Sequence, residues 1–537
     1  MFYSPDSQDV FIVMEAPSTT LLAPRTEDFI PFDEERFRRF IVRPVSRLML
    51  FSKRVADGAL DIRDYNWPLL ASLSMEAEKV EEYLDIFGAG GNAKWYLIRE
   101  LTACVKNFAD IAYRFHQVRN CFSRFESLQA DTQLAVTIDQ GLETLCEFIH
   151  RSMTAFHIQT TRIGLTPLPE IARNFEVFNE EMPHGVLPHD HRSSGSTGAQ
   201  TRAGALATQF LNLAVDSGIL AQVKRSDELS FTSLFPTQIN EESLRQMEFN
   251  FHNLQSLYDT YISSTNEENV DDELKELRAH ISVILRLLEA ATLLGHFYER
   301  HLSLWEEEQA IDPVADFPVV LSLLRSTLVS THSHVDASRK ICHGILRKYT
   351  KRVEVQVPIP KYRGFHVRPS ALVMKIVTHY GTDVTMSLGN AEYNAASALE
   401  MMRANEWVNA LKRREVAEIV AKQSLEKPAL SDWDLQRKVS RAIHQLAENN
   451  SIVVYDRPLR IEGVTFSPDT PVGVSVQEAL KRLLFTGKID VEIDIIATFS
   501  GDERPLRDIQ ILAENQYCED SFGNNIPLPP ELPYLRR

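Results

Sequence analysis

The sequence predicts a chain of two parts in the α plus α+β class, with a large all-α N-terminal region followed by a smaller region of mixed strands and helices. Two observations predict this division. From residue 31 to about 349, apolar residues recur at three- and four-residue spacing in one long run after another. After residue 350, short alternating runs such as 353–361 and 381–388 are typical of strands.

The all-α region, residues 29–350, divides into amphipathic runs that indicate a packed bundle. We expect residues 1–28 to be an extended N-terminal segment. A loop at about 178–203, rich in proline, glycine and serine, interrupts the bundle. The helical runs are 37–50, which contains Pro44 as a possible kink, and 69–87, 93–125, 132–163, 205–213, 240–263, 271–302 and 319–348.

The charge balance and the distribution of cysteines bear on partners and compartment. The net charge of −17 disfavours nucleic-acid binding, which requires lysine and arginine to neutralise phosphates. No apolar run reaches membrane-spanning length, and the N-terminus lacks the basic start of a signal peptide. The five cysteines form no CxxC pair, which indicates a reducing compartment. We therefore expect a cytoplasmic protein without a membrane span.

The stretch Gly364–Ser370, with the sequence GFHVRPS, has the strongest chemical signal in the chain. Pro369 suits the first position of a helix, where its missing N–H would be unsatisfied in any case, so His366 is predicted to lie just outside a helix N-terminus. Unpaired N–H groups and the positive end of the helix dipole attract anions there. Arg368 adds a guanidinium that can bind phosphate in bidentate fashion. An imidazole in this position can accept a phosphoryl group, although His366 can also be a residue that merely precedes a helix.

The elements that follow this stretch strengthen the chemical interpretation. Residues 381–388 alternate like a strand, Gly389 and Asn390 form a hairpin-type turn, and 391–395 read as a second strand. Ser397 then caps a helix that carries three large apolar side chains. These are Leu399, Met401 and Met402.

This order of elements resembles HPr, the histidine phosphocarrier of the bacterial sugar phosphotransferase system. GFHVRPSAL is similar to the active-site segment of that family, and NAASALEMM to its regulatory-serine segment. The resemblance implies an open-faced β-sandwich with the order βαββαβα. Two positions depart from the family pattern, because Glu400 stands where glycine is usual and Ala396 where lysine is frequent.

The resemblance also implies roles for individual residues. His366 would be the phosphoryl acceptor, Arg368 its phosphate partner and Ser397 the serine that a regulatory kinase phosphorylates. Leu399 and Met402, together with Met401, would form the apolar surface that docks partners. The implied partners are an Enzyme I-like phosphodonor or a protein kinase and an unknown acceptor protein, and no cofactor is required.

The last strand and last helix of such a domain do not follow directly. Residues 489–499 alternate like a strand and 506–517 read as a helix, so we place an HPr-like domain at 351–523 with an insertion at about 405–487. Within the insertion we expect a hairpin of 452–455 with 459–466, and a capping box from Ser475 to Glu478. Residues 524–537 are proline-rich and are predicted to form an extended tail.

The sequence thus favours a phosphocarrier or phosphorelay protein, which is half of a phosphotransfer pair and not a stand-alone enzyme. The alternative is a non-catalytic scaffold that uses an HPr-like docking module. A third hypothesis, a helical enzyme with a histidine-liganded metal or haem, rests on scattered histidines, which we interpret as polar-loop and core residues. They are His184, His189 and His191 in the loop, and His296 and His301 with Glu289 and Glu299 in the bundle.

Overall fold

The computed structural model describes residues 33–125, 128–129, 131–177, 199–263, 265–302, 316–421, 431–455, 459 and 470–536. The predicted N-terminal segment 1–28, nearly all of loop 178–203 with its three histidines, and most of the expected strand 459–466 lie outside the described residues. What is described is mostly helical with a small antiparallel sheet. The broad prediction of α plus α+β structure is therefore confirmed.

The helices and strands have the following bounds. The helices are α1 (Glu34–Ala56), α2 (Trp67–Ile86), α3 (Tyr96–Arg124), α4 (Thr132–Arg162), α5 (Pro169–Arg173), α6 (Ala199–Asp216), α7 (Ile219–Arg225), α8 (Glu228–Leu234), α9 (Glu241–Tyr261), α10 (Asn266–Val270), α11 (Asp272–Phe297), α12 (Phe317–Tyr349), α13 (Val367–Tyr380), α14 (Ala398–Ala421), α15 (Asp432–Glu448), α16 (Val472–Phe485) and α17 (Glu503–Glu514). The strands are β1 (Arg352–Pro358), β2 (Val384–Leu388), β3 (Ala391–Asn394), β4 (Val453–Val454), β5 (Ile489–Asp490) and β6 (Ile496–Asp502).

The chain forms two compact units, one of residues 1–106 and 149–179 and the other of 107–148 and 180–537. The division does not fall at residue 350, where we expected the all-α region to end. Helices α6 and α12 belong to the same unit as the sheet, and both contact the C-terminal end of helix α13, which packs in the same core as the sheet. Thr208 Oγ1 in α6 donates to the Tyr380 carbonyl at 3.1 Å, and His343 Nδ1 in α12 lies 3.0 Å from the Gly381 carbonyl oxygen.

Helix α1 in the first unit shows how the amphipathic pattern determines burial. It runs as one helix through Pro44 and buries Phe37, Ile41 and Val45 on one face. Asp33 accepts the Glu35 N–H at its start, as expected for an N-cap. The arginine-rich face that alternates with these apolar residues is exposed or half-buried, in agreement with a solvated helix surface.

The four-stranded sheet of the second unit has the order β1-β6-β2-β3 with every pair antiparallel. Strand β6 comes last in the chain and pairs with both β1 and β2, so that Phe499 is the partner of Val355 on one side and of Met386 on the other. Helices α13, α14 and α17 supply apolar side chains to one core with the sheet. Without residues 412–493, the element order is strand, helix, strand, strand, helix, strand, helix.

The segment inserted before β6 has a second apolar core of its own, formed by α15, α16 and the end of α14. Helix α14 is continuous across the expected boundary at 405, since Ala404 and Val408 lie in the sheet core while Val416 and Val420 lie in the second core. The boundary predicted at 405 therefore falls inside a helix.

One prediction within the insertion is wrong, and another lies mostly outside the described residues. Helix α16 begins at Val472, so Ser475 is a buried residue inside the helix and does not cap it. This error arises because the favourable local capping motif competes with tertiary burial, which decides the outcome. Strand β4 pairs with β5, and nearly all of segment 459–466, with which we expected a hairpin, falls outside the described residues.

The proline-rich tail is also not the extended appendage that we predicted. Leu532 and Leu535 are buried in the core under the sheet, and Lys375 Nζ donates to the Leu535 carbonyl at 3.0 Å. Tyr534 stacks on His379 with ring centroids 3.8 Å apart. The sheet domain therefore extends to residue 536, and the boundary at 523 is too early.

Candidate functional site

The loop between β1 and α13 places His366 at the N-cap position of a 14-residue helix. Arg363 and Gly364 both have left-handed backbones, with φ of 54° and 63°, which turns the chain sharply into the helix. A Cβ on Gly364 would lie 2.7 Å from Asn405 Oδ1, so the close approach of α14 also requires glycine there. A helix does start next to the histidine as predicted, but its first residue is Val367, so Pro369 is the third helical residue and not the first.

Phe365 fixes this loop to the domain core. Its ring is 1% exposed and packs against the rings of Phe499 and Tyr517. Ser370 Oγ in the first turn of α13 donates to the Phe365 carbonyl at 2.7 Å. The histidine next to Phe365 is therefore carried by a rigid part of the fold, as a reactive side chain requires.

His366 has a carboxylate partner that the sequence did not reveal. Its Nε2 lies 2.7 Å from Oε2 of Glu519, whose side chain is only 6% exposed. Because a carboxylate accepts and does not donate, Nε2 carries the hydrogen, and the lone pair is on Nδ1. Nδ1 has no hydrogen-bond partner among the described residues, so it is the nitrogen available as a nucleophile.

Arg368 shares the same carboxylate. Its Nε lies 3.7 Å from Glu519 Oε1, and its Nη1 donates to the side-chain oxygen of Asn525. Glu519 thus contacts the two residues that the sequence predicted to act together, and the structure brings His366 and Arg368 to one place.

A turn with an unusual backbone conformation positions Glu519 next to His366 and Arg368. Gln516, Tyr517 and Cys518, directly after α17, all have positive φ between 54° and 59°, a conformation that costs energy for side chains other than glycine. Burial of Tyr517, whose hydroxyl donates to the Pro358 carbonyl at 2.8 Å, holds the turn. Burial also raises the pKa of the Cys518 thiol, although the nearby Arg368 opposes this effect.

The insertion is connected to the histidine loop by a buried ion pair. Lys412 Nζ donates to both oxygens of Asp490 at 2.7 Å, and both side chains are at most 4% exposed. Asp490 Oδ2 also accepts the Arg363 N–H at 3.0 Å, three residues before His366. Tyr455 of the insertion packs against Tyr362, whose ring is edge-on to the His366 ring at 5.3 Å.

His366 also lines a cleft of about 480 Å³ between α14 and α16. Its wall contains four cationic side chains from three separate segments, namely Arg363, Arg413, Lys481 and Arg482. Glu406, Glu478 and Asp490 are the carboxylates of the same wall. We refer to it below as the cationic cleft.

Ser397 has the capping geometry that the sequence predicted. Its Oγ accepts the Glu400 N–H at 3.4 Å and its carbonyl oxygen accepts the Met401 N–H at 2.9 Å. The Glu400 carboxylate is bound to Arg403 at 2.8 Å.

The three residues predicted to dock partners do not share one surface. Leu399 and Met402 are 62% and 60% exposed, whereas Met401 is fully buried in the core under the sheet. The assignment of Met401 to the docking surface is therefore wrong, because the helix turns this side chain towards the sheet.

The bundle residues considered for a metal site each have other partners. His296 Nδ1 lies 3.1 Å from Glu241 Oε2, and Glu289 accepts from Arg286 at 2.7 Å. His301 is stacked on Phe297. Among the described residues, no group of three or more histidine, cysteine or acidic side chains could hold a metal ion.

The structure also contains a buried pair of histidines in contact, which the sequence patterns did not reveal. His280 in α11 and His334 in α12 are buried with their Nδ1 atoms 2.7 Å apart. Burial lowers the pKa of His280 to about 4, with a further lowering by His334 and an opposing effect of Asp131. Burial likewise lowers the pKa of His334, whose Nε2 lies 3.5 Å from Asp131.

Comparisons with known proteins supply no family for this chain. No family model, curated protein or solved structure matches it. None of the helices in the described ranges is both long and apolar enough to span a membrane.

Proposed function

We propose that this protein is an HPr-like phosphocarrier in which Nδ1 of His366 accepts a phosphoryl group from a phosphorylated donor protein and passes it to an acceptor. One observation carries the proposal. His366 caps α13 with Nε2–H bound to Glu519, which leaves the Nδ1 lone pair without a partner among the described residues. The element order and the antiparallel sheet support the resemblance that the local motifs suggested.

The chemistry needs these residues and no cofactor. The phosphorus bond to the donor breaks as the Nδ1–phosphorus bond forms, while the proton on Nε2 stays in its hydrogen bond to Glu519. The N–H groups of Val367 and Arg368 at the helix start have no backbone acceptor within the helix, and they can stabilise the added charge. Arg368 is near enough to exchange its contact with Glu519 for one with the phosphoryl oxygens.

A second function is favoured by the same carboxylate. Glu519 already binds both His366 and Arg368, and a negative side chain at this place repels an incoming phosphate. Together with the exposed Leu399 and Met402, this arrangement suits a docking module that binds a protein without phosphotransfer.

Phosphorylation distinguishes the two functions. The full chain is incubated with Enzyme I and labelled phosphoenolpyruvate, and label is expected at His366 in an acid-labile, base-stable form, as for a phosphoramidate. His366→Ala should remove the label, and His252→Ala, which changes an exposed histidine of α9, should retain it. Label that resists acid, or that persists in His366→Ala, would contradict the phosphocarrier proposal. Binding of Enzyme I without any label would favour the docking module.

A further inference from the structure

The cationic cleft has more positive charge than its own carboxylates can neutralise. Asp490 is bound by the buried Lys412, and Glu406 accepts from Arg413 at 2.6 Å. The side chains of Arg363 and Lys481 form no ion pair with any described residue. At least two cations from different segments therefore face one cavity without a carboxylate partner.

The backbone holds one of these cations in place. Arg363 has a left-handed φ of 54°, and its N–H donates to Asp490 at 3.0 Å. Its guanidinium lies against Gly487, where a Cβ would be 2.7 Å from the guanidinium carbon. Gly487 itself has a φ of 70°. A strained loop residue and an opposing glycine thus make room for the guanidinium at this wall.

Uncharged polar groups complete the lining. Asn405 and Asn409 of α14 face the cleft, and Asn405 Oδ1 is buried without a hydrogen-bond partner within the described part of the chain. Amide groups between cations are suited to the hydroxyl groups of a ligand, while guanidinium and ammonium groups are suited to its phosphate.

We propose that the cationic cleft binds a small phosphorylated molecule, with its phosphate between Arg363 and Lys481. The volume of about 480 Å³ is in the range of pockets for small organic ligands and exceeds the need of a single inorganic ion. The proposal does not depend on phosphotransfer, because it concerns binding to the unphosphorylated protein. It adds a ligand site next to His366, which lies on the same wall.

Binding of ribose 5-phosphate and of pyrophosphate to the unphosphorylated full chain tests the proposal, with free ribose as the uncharged counterpart. Isothermal titration calorimetry should show saturable binding of at least one phosphorylated probe, weakening as salt is added, and none of ribose. Lys481→Gln should weaken that binding by about 10-fold or more. Arg441→Gln, which changes an exposed arginine of α15 outside the cleft, should leave it unchanged.

Circular dichroism on both variants ensures that a loss of binding is not a loss of folding, and Arg482→Gln provides a second variant of the same wall. Equal binding by Lys481→Gln, Arg482→Gln and Arg441→Gln would overturn the proposal. So would equal binding of ribose and ribose 5-phosphate, or the absence of saturable binding of both phosphorylated probes to the wild-type chain. None of these results would bear on labelling of His366, which is measured separately.

Discussion

Two histidine sites in the same unit combine imidazole with acidic side chains, yet their surroundings differ. His366 is 22% exposed at the start of α13, with a carboxylate at 2.7 Å and a guanidinium beside that carboxylate. His280 and His334 are buried between α11 and α12 and bond to each other. Their acidic neighbours are more distant, with Asp131 at 3.5 Å and Glu276 at 3.9 Å.

The difference separates a site suited to chemistry from one suited to packing. A nucleophilic nitrogen must be reachable, and the charge it acquires must meet groups that stabilise it. His366 meets both conditions. Its Nδ1 has no hydrogen-bond partner among the residues described, and the N-terminus of α13 lies next to it. In the buried pair each Nδ1 is occupied by the other ring, and burial disfavours the charged form. The predictions below test this contrast, from the largest expected effect to the smallest.

The first prediction is that acid destabilises the fold through the buried pair. Burial lowers the pKa of His280 from 6.5 to about 4. Between these values the unfolded chain binds more protons than the folded one, so stability is present above pH 6.5 and is lost as the pH falls towards 4. At about 1.4 kcal/mol per pH unit, the loss from His280 is about 3 kcal/mol across this window.

Urea unfolding at pH 7 and pH 5, followed by circular dichroism, measures the part of this loss that falls above pH 5, which is about 2 kcal/mol. His280→Asn keeps a polar side chain at the Nδ1 position but cannot be protonated, so the difference between the two pH values should shrink by more than half. His252→Asn, on the exposed side of α9, should keep the wild-type difference. A difference that survives unchanged in His280→Asn would assign the acid sensitivity to other groups.

The second prediction concerns the carboxylate at the other site. Glu519→Gln keeps the shape of the side chain, but the new amide group can also donate a hydrogen bond to Nε2. The imidazole then loses its fixed tautomer, and no carboxylate compensates the charge that the ring acquires during phosphotransfer. Phosphotransfer to His366 should slow by about 10–100-fold, as is typical when the partner that orients a histidine is removed. The melting temperature should change little, because the amide retains a hydrogen bond to the ring.

Rapid-quench measurement of labelling by Enzyme I gives the rate, and Glu514→Gln at the end of α17 is the matched control, since Glu514 is exposed and has no contact with His366. Faster labelling of Glu519→Gln would mean that the carboxylate acts mainly by repelling phosphate. That outcome would support the docking function, in which Glu519 keeps the site closed to phosphoryl groups.

The sequence predicts those parts of the molecule that depend on neighbours in the chain. Helix bounds such as those of α3, α4 and α12 follow from apolar periodicity, and the histidine loop follows from Gly364 and Pro369. Glu519 contacts His366 across 153 residues of sequence, and no local pattern encodes such a pairing. The signal that could have found it is an acidic residue just beyond the predicted last helix of the domain.

The remaining errors have the same physical origin. Met401 lies between two exposed apolar residues, and only the position of the sheet determines which of the three side chains is buried. The pairing of β4 with β5 and the burial of Leu535 likewise depend on surfaces that are formed by distant segments. Apolar composition predicts that a residue contributes to some interface, but it does not say whether that interface is internal.

The last prediction concerns Ser397, which is either a helix cap or a regulatory phosphorylation site. A negative charge at the start of α14 interacts favourably with the helix N-terminus, by about 0.3–1 kcal/mol when exposed. The fold should therefore tolerate Ser397→Asp with little change in melting temperature. The charge would nevertheless stand close to the exposed Leu399 and to Glu400, so it should weaken docking of a protein partner.

Calorimetric binding of Enzyme I to wild type, Ser397→Asp and Ser397→Asn separates the two roles. Asparagine caps helices about as well as serine but is neutral, so Ser397→Asn should bind like wild type. Weaker binding of Ser397→Asp alone would show that charge at this position controls docking, in contrast to Met401, whose truncation should affect stability instead. If both variants bind as tightly as wild type, Ser397 acts as a cap and the regulatory role is excluded for this partner.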